Sequence, residues 1–149
     1  MVLVGRDCTY GNVDLRRLLS NFNILEKTIL LGERSDIADI LSALDVLVIG
    51  SSFGEALPIV AIEASANGLP VVTTDVGDIR DFVLSSDDII PKGDVAGMAA
   101  ALTRAMQYRS DRGRTDPSTD PRNRLLMKYR VDFMATKYLN LYKKVNSKI

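Results

Sequence analysis

The chain has 149 residues, the length of a single domain, and its 19 Lys and Arg residues balance its 19 Asp and Glu residues. A chain of this length buries roughly two-thirds of its unfolded surface. Because the net charge is zero, nothing favours a nucleic-acid partner, and we predict none. The sequence contains no histidine and one cysteine, which excludes Ser-His-Asp catalysis, an internal disulfide and most zinc sites.

The hydropathy of the chain predicts no membrane-spanning segment. No apolar run approaches the ~20 residues that a transmembrane helix needs. The N-terminus also has no charged lead into an apolar signal core. We therefore expect a soluble, cytoplasmic protein, and leave open a peripheral association of the parent protein with a membrane surface.

Short β-branched runs alternate with amphipathic segments along the chain and predict buried parallel strands. These runs are Val2–Val4, Thr28–Leu31, Asp45–Ile49, Pro70–Thr74 and Asp88–Ile90. The segments between them predict helices, with N-terminal caps at Asn12, at Ser35 or Asp36, and at Asp94. This alternation predicts an α/β fold with a Rossmann-like, doubly wound parallel sheet. Ligands of such sheets bind beyond the carboxyl ends of the strands, so we expect the chemistry in those loops.

A helix is predicted between the third and fourth strands. Pro58 suits its first position, where no backbone donor is lost, and Gly68 suits its C-terminal end. The residues expected to face the core are Ile59, Ile62, Ser65 and Ala66. A second, short helix is predicted at Val76–Val83.

Two carboxylates accompany this helix, Glu55 just before it and Glu63 inside it. Taken singly, Glu55 suits the positive end of a helix and Glu63 suits a solvent-facing position. Glu63 is, however, the only charged residue between Ala56 and Thr74, and a carboxylate in so apolar a run needs water or a polar partner. Eight residues at helical rise cover about 12 Å. A diphosphate between two sugar rings has a comparable length, so the pair is spaced to hold both ends of a sugar nucleotide.

The end of the chain differs in composition. Residues 109–123 are polar and contain two prolines and a glycine, which predicts a flexible loop. Residues 124–149 are predicted to form C-terminal helices, mainly over Leu125 to Val145. Their aromatic and aliphatic residues form an apolar face that we expect to be underused here. We interpret residues 1–149 as a single domain.

Several motifs together resemble the C-terminal, donor-nucleotide-binding domain of the family 4 (group 1) retaining glycosyltransferases. The core of the pattern reads Glu55-Ala-Leu-Pro58, Glu63-Ala-Ser-Ala-Asn-Gly68-Leu-Pro70-Val-Val72 and Thr74-Asp-Val-Gly77. Leu3-Val-Gly5, Leu30-Leu-Gly32 and Ala43-Leu-Asp45 extend it. The resemblance implies the C-terminal half of a two-domain GT-B architecture, lacking its first strand and the Arg and Lys that clamp the donor diphosphate there.

The resemblance also implies roles for the matching residues. Glu55 corresponds to the catalytic-site carboxylate beside the donor sugar, and Glu63 to the glutamate that accepts hydrogen bonds from the ribose hydroxyls. The backbone amides that face the diphosphate are implied to be those of Ala56, Leu57 and Ile59. The loop that meets the nucleobase is implied to be Gly32, Glu33 and Arg34. Neither a cofactor nor a metal is implied beyond the nucleoside-diphosphate sugar, which is the donor substrate.

The expected activity is retaining transfer of a sugar to a hydroxyl of a glycan, lipid or small molecule bound by a missing N-terminal domain. One alternative is a non-catalytic nucleotide-sugar-binding subunit that requires a partner chain. Another is a sugar-nucleotide epimerase, but such enzymes typically need histidine in this domain. We expect the isolated chain to be inactive. Because an exposed parallel sheet edge invites pairing, we also expect self-association or pairing with a missing segment.

Overall fold

The computed structural model describes residues 1–52, 58–83, 85–110 and 129–146. The chain divides into two compact units, Met1–Ile37 and Ala38–Ile149. Each unit combines short parallel strands with helices. The loop predicted over residues 109–123 is wrong for residues 109 and 110, which are helical. Its remainder and the start of the predicted C-terminal helices lie outside the described residues.

The first unit is a small parallel βαβ arrangement. Its elements are β1 (Val2–Leu3), α1 (Val13–Asn21), a 3-10 turn (Leu25–Lys27) and β2 (Ile29–Leu30). β1 and β2 pair in parallel, with Val2 opposite Ile29. Asn12 caps α1 as predicted, because its side-chain oxygen accepts a hydrogen bond of 3.1 Å from the amide of Leu15. A short helix, α2 (Ile37–Ser42), begins at the last residue of this unit.

The second unit contains a three-stranded parallel sheet in the order β3-β4-β5. Its main elements are β3 (Leu47–Ile49), α3 (Ile59–Ala66), β4 (Val71–Thr74), β5 (Ile89–Ile90), α4 (Val95–Ser110) and α5 (Val131–Asn146). The central strand β4 consists of two valines and two threonines and is buried at all four positions. The predicted strands are therefore all present. The short helix predicted at Val76–Val83 is a single 3-10 turn at Ile79–Phe82.

The buried face of helix α3 overlaps the predicted one in part, since Ser65 is buried and Ile62 is partly buried. Ala61, Ala64 and Ser65 are buried, whereas Ile59 is 70% exposed and Ala66 is exposed. The prediction was wrong for Ile59 and Ala66, because the helix turns Ala61 and Ala64 toward the core instead. The helix packs against β4 through these small residues, which let its backbone approach the sheet closely. Its ends are nearly as predicted.

Two backbone signals fix the ends of α3. Pro58 is the N-cap, one residue before the predicted position, and the helix starts at Ile59. Gly68 follows the helix with a positive φ of 67°, a conformation that glycine adopts without steric cost. The amide of Leu69 then donates to the carbonyl of Ala64 at 2.8 Å and closes the end of the helix.

Helix α4 covers the sheet through residues of similar small size. The buried cluster consists of Val72, Ile90, Ala101 and Ala105, with Met98 and Leu102 partly buried beside it. Asp94 caps this helix as predicted, because its carboxylate accepts a hydrogen bond of 2.8 Å from the amide of Gly97.

Helix α5 has no buried residue along its whole length. Its exposed apolar residues include Phe133, Tyr138, Leu141 and Tyr142. Within the described residues, the predicted underused apolar face is therefore present. Among the residues that the structure describes, no helix is long and apolar enough to cross a membrane.

Candidate functional site

The connection from β3 to α3 is the segment in which the sequence places the catalytic chemistry. β3 ends at Ile49, and α3 starts at Ile59. Glu55, Ala56 and Leu57 lie outside the described residues, so their predicted roles stay predictions. What the structure describes of this region is its two ends and the strand that lies beside it.

Glu63 lies in the middle of α3 and is half-buried. Its backbone carbonyl accepts hydrogen bonds from both the amide and the side chain of Asn67, at 3.0 and 2.9 Å. Its carboxylate, in contrast, has no hydrogen-bond or ion-pair partner among the described residues. Both oxygens of this carboxylate are therefore unused by the described residues, and the predicted ribose-binding role of Glu63 stays a prediction.

Ile59 is the first residue of α3, directly after Pro58. Backbone amides in the first turn of a helix have no carbonyl one turn earlier to accept their hydrogen bonds. Pro58 is buried and has no amide, and its carbonyl accepts a hydrogen bond of 3.0 Å from the amide of Ala61. The side chain of Ile59 is exposed, and the use of its amide stays a prediction.

Thr74, the last residue of β4, links the central strand to the end of its neighbour. Its hydroxyl lies 2.6 Å from the carbonyl oxygen of Ser51 and 3.4 Å from that of Ile49. The residue is 7% exposed. The sequence predicted no role for Thr74, although the residue ends a predicted strand and begins the motif Thr74-Asp-Val-Gly77.

An apolar cavity of about 330 Å³ lies at the same end of this sheet. Gly50, Thr74, Asp94 and Met98 are among its lining residues. The cavity therefore places Thr74 at the boundary between the sheet and the region where ligands of parallel sheets bind.

The loop predicted to meet a nucleobase belongs to the first unit, at the carboxyl end of β2. Gly32 has a φ of 68°, and both of its backbone groups are used within the unit. Its amide donates to the carbonyl of Cys8, and its carbonyl accepts from the amide of Gly5, each at 2.8 Å. These bonds fix the loops that follow β1 and β2 against each other. A ligand would therefore find the next residues, rather than the Gly32 amide, available.

Those next residues differ in their side-chain contacts. Arg34 forms a two-pronged ion pair with Asp36, with nitrogen–oxygen distances of 2.8 and 2.5 Å. This hydrogen-bonded guanidinium lowers the pKa of Asp36. The side chain of Arg34 is thus held by a protein partner. Glu33 is 73% exposed and lies 3.8 Å from the guanidinium of Arg6, a loose surface pair.

The family model of group 1 glycosyl transferases matches residues 1–108. This chain belongs to the group 1 glycosyltransferase family. Residues 1–108 include the strands of both units and the whole segment from β3 to β5.

Individual relatives of this glycosyltransferase chain come from bacteria. The UDP-Gal:alpha-D-GlcNAc-diphosphoundecaprenol alpha-1,3-galactosyltransferase of Escherichia coli is 28% identical over 125 residues, covering 83% of this chain and 31% of that protein. The lipopolysaccharide core biosynthesis mannosyltransferase LpsB of Rhizobium meliloti is 30% identical over 100 residues, covering 64% of this chain and 28% of that protein. The chain thus spans about a third or less of these relatives' lengths.

Among solved structures, sucrose-phosphate synthase from Thermosynechococcus elongatus superposes with a TM-score of 0.77 at 24% sequence identity. The superposition covers 99% of this chain and 39% of that one. This likeness establishes the fold, and it confirms the prediction of a half of the GT-B architecture.

Proposed function

We propose that this chain binds a nucleoside-diphosphate sugar and is the donor half of a retaining glycosyltransferase. Glu63 carries the proposal. It is a half-buried carboxylate on an apolar helix, and it has no partner among the described residues. A carboxylate presents two acceptor oxygens, which suit the two neighbouring hydroxyls of a ribose, and hydrogen bonds to an ionised acceptor are the stronger kind.

The remaining parts of the donor are assigned from the family resemblance, one residue at a time. The diphosphate would lie at the start of α3, where the amide of Ile59 and the preceding amides of Ala56 and Leu57 favour negative charge. The donor sugar would then lie beside Glu55. The nucleobase would contact the backbone at Glu33 and Arg34. Because the guanidinium of Arg34 is paired with Asp36, we assign Arg34 a backbone rather than a side-chain role.

For the reaction itself, we propose that the sugar moves to the acceptor hydroxyl on the same face that the diphosphate leaves. The departing diphosphate takes the acceptor's proton, and main-chain dipoles at the helix start stabilise the negative charge that develops on it. A second carboxylate nucleophile is not needed for this route, since Glu63 is assigned to the ribose. The acceptor would be a glycan, lipid or small molecule bound by a domain outside this sequence.

The name of the E. coli relative specifies UDP-Gal as its donor, so uridine diphosphate is the first compound to test. We expect isothermal titration of the 149-residue chain to give saturable one-to-one binding of UDP or GDP, and weaker binding of the corresponding nucleoside. If neither diphosphate binds at millimolar concentration, the proposal is wrong.

A turnover assay then separates catalysis from binding alone. Incubation of the chain with UDP-galactose should release no UDP, because the acceptor half is absent. The same assay on a longer protein that includes this chain should show sugar transfer. Binding without any transfer there would favour a non-catalytic nucleotide-sugar-binding subunit.

We place the protein in the cytoplasm, where its single cysteine would remain a thiol.

A further inference from the structure

The side-chain hydroxyl of Thr74 makes a hydrogen bond in addition to the backbone pairing of the sheet. Thr74 lies at the carboxyl end of the central strand, and its hydroxyl reaches across to the neighbouring strand's exit. A hydroxyl has one proton to donate, so it donates mainly to the carbonyl of Ser51 at 2.6 Å. The carbonyl of Ile49, at 3.4 Å, makes a weaker contact. Ser51 is the second residue after β3.

The preceding residue, Thr73, provides a contrast within the same strand. It is fully buried, and its hydroxyl donates to the carbonyl of Thr74 at 2.8 Å. That bond stays within β4 and does not reach the connection. The two threonines therefore have the same side chain and similar burial, but only Thr74 binds the segment that leaves β3.

We propose that Thr74 is a positioning residue for donor binding, which rests on the function proposed above. Its hydroxyl fixes the carbonyl of Ser51, and this sets the point at which the β3–α3 connection leaves the sheet. By sequence, that connection carries Glu55 and the amides assigned to the diphosphate. The other end of the connection is held by buried Pro58 and by α3. With Ser51 and Pro58 held at its two ends, we expect less binding energy to be lost when the donor binds there.

The substitution Thr74→Val tests this, because valine keeps the branched shape and removes the donor. Thr74→Ser keeps the donor, and Thr73→Val is the matched control in the same strand. We expect Thr74→Val to weaken the binding of UDP or GDP about three- to tenfold, as for the loss of one net hydrogen bond. Thr74→Ser and Thr73→Val should bind within twofold of the original chain. All four proteins should give cooperative melting curves.

Amide hydrogen exchange gives a second readout that needs no ligand. In Thr74→Val, peptides covering residues 49–52 should exchange faster, while Thr73→Val should leave them unchanged. Equal nucleotide affinity in Thr74→Val and the original chain, or equal weakening by Thr73→Val, would overturn the positioning role, as would unchanged exchange at residues 49–52. If the original chain binds no nucleoside diphosphate, the proposed function fails, and exchange alone decides whether Thr74 holds the connection.

Discussion

Replacement of Glu63 by glutamine removes one charge and almost no volume, and it should separate the binding role of this residue from any role in folding. Charged hydrogen bonds contribute about 1.5–3 kcal/mol each, and neutral ones about 0.5–1.5 kcal/mol. Glutamine can still accept from one hydroxyl. For a carboxylate that accepts from two ribose hydroxyls, we therefore expect Glu63→Gln to cost about 2–3 kcal/mol of binding, or roughly 30- to 150-fold in Kd.

The same substitution should not destabilise the chain. The carboxylate of Glu63 has no partner among the described residues, so replacing it with an amide breaks no contact there. Glutamate and glutamine also have nearly equal helix propensities. We expect the free energy of unfolding to stay the same or to rise by up to about 1 kcal/mol, a pattern typical of functional residues.

Isothermal titration with UDP and with 2′-deoxy-UDP makes the test specific to the ribose. The difference between the original chain and Glu63→Gln should shrink with the deoxy compound, because one of the two hydrogen bonds is then already missing. Glu26→Gln, at an exposed position, is the matched control. The reasoning is refuted if Glu63→Gln binds UDP normally, if it loses the same affinity for both ligands, or if it unfolds more easily than the control.

Two further predictions concern the surroundings of the site. Gly32→Ala should lower the free energy of unfolding by about 1–2 kcal/mol, because φ is 68° and the added Cβ would lie 3.4 Å from the Thr9 side chain. Gly50→Ala is the control, since its added Cβ would have no atom within 4 Å and should leave the free energy of unfolding unchanged. Urea unfolding measures both. Equal effects would contradict the role of backbone conformation. Asp88 is 7% exposed and lies 3.7 Å from Arg104. Burial raises its pKa, and Arg104 only partly opposes this. The folded state thus holds the proton more tightly, so stability should fall as pH rises from the ordinary carboxyl pKa through the raised one. Asp88→Asn should reduce this decrease in the free energy of unfolding with rising pH. If the variant and the original chain have the same pH profile of stability, Asp88 does not cause the decrease.

The strands and helix caps were predictable because they depend on local chemistry. β4 is an uninterrupted run of β-branched residues, which is typical of a strand buried on both faces. Asn12 and Asp94 form their caps with amides three residues later, so a short segment contains both partners. Gly68 has the positive φ expected after a helix. Each of these features needs no information from distant parts of the chain.

The features that the sequence did not reveal join residues far apart in the chain. The hydrogen bond from Thr74 to Ser51 depends on the pairing of β3 with β4, which sets the two residues side by side. The use of both Gly32 backbone groups depends on the parallel register of β1 and β2. Hydrophobic periodicity predicts that strands exist, but their register decides which loop atoms meet.

The unexpected face of α3 bears directly on the proposed site. Had Ile59 and Ile62 formed the core contact, the large side chains would have kept the helix away from the sheet. The buried Ala61 and Ala64 instead allow close packing, which fixes the helix by contacts that Glu63 does not share. Packing therefore sets the backbone position of Glu63, and no hydrogen bond among the described residues holds its carboxylate. Both oxygens can then serve a ligand, at a cost of about 0.5–1.5 kcal/mol for ordering the side chain when the ligand binds.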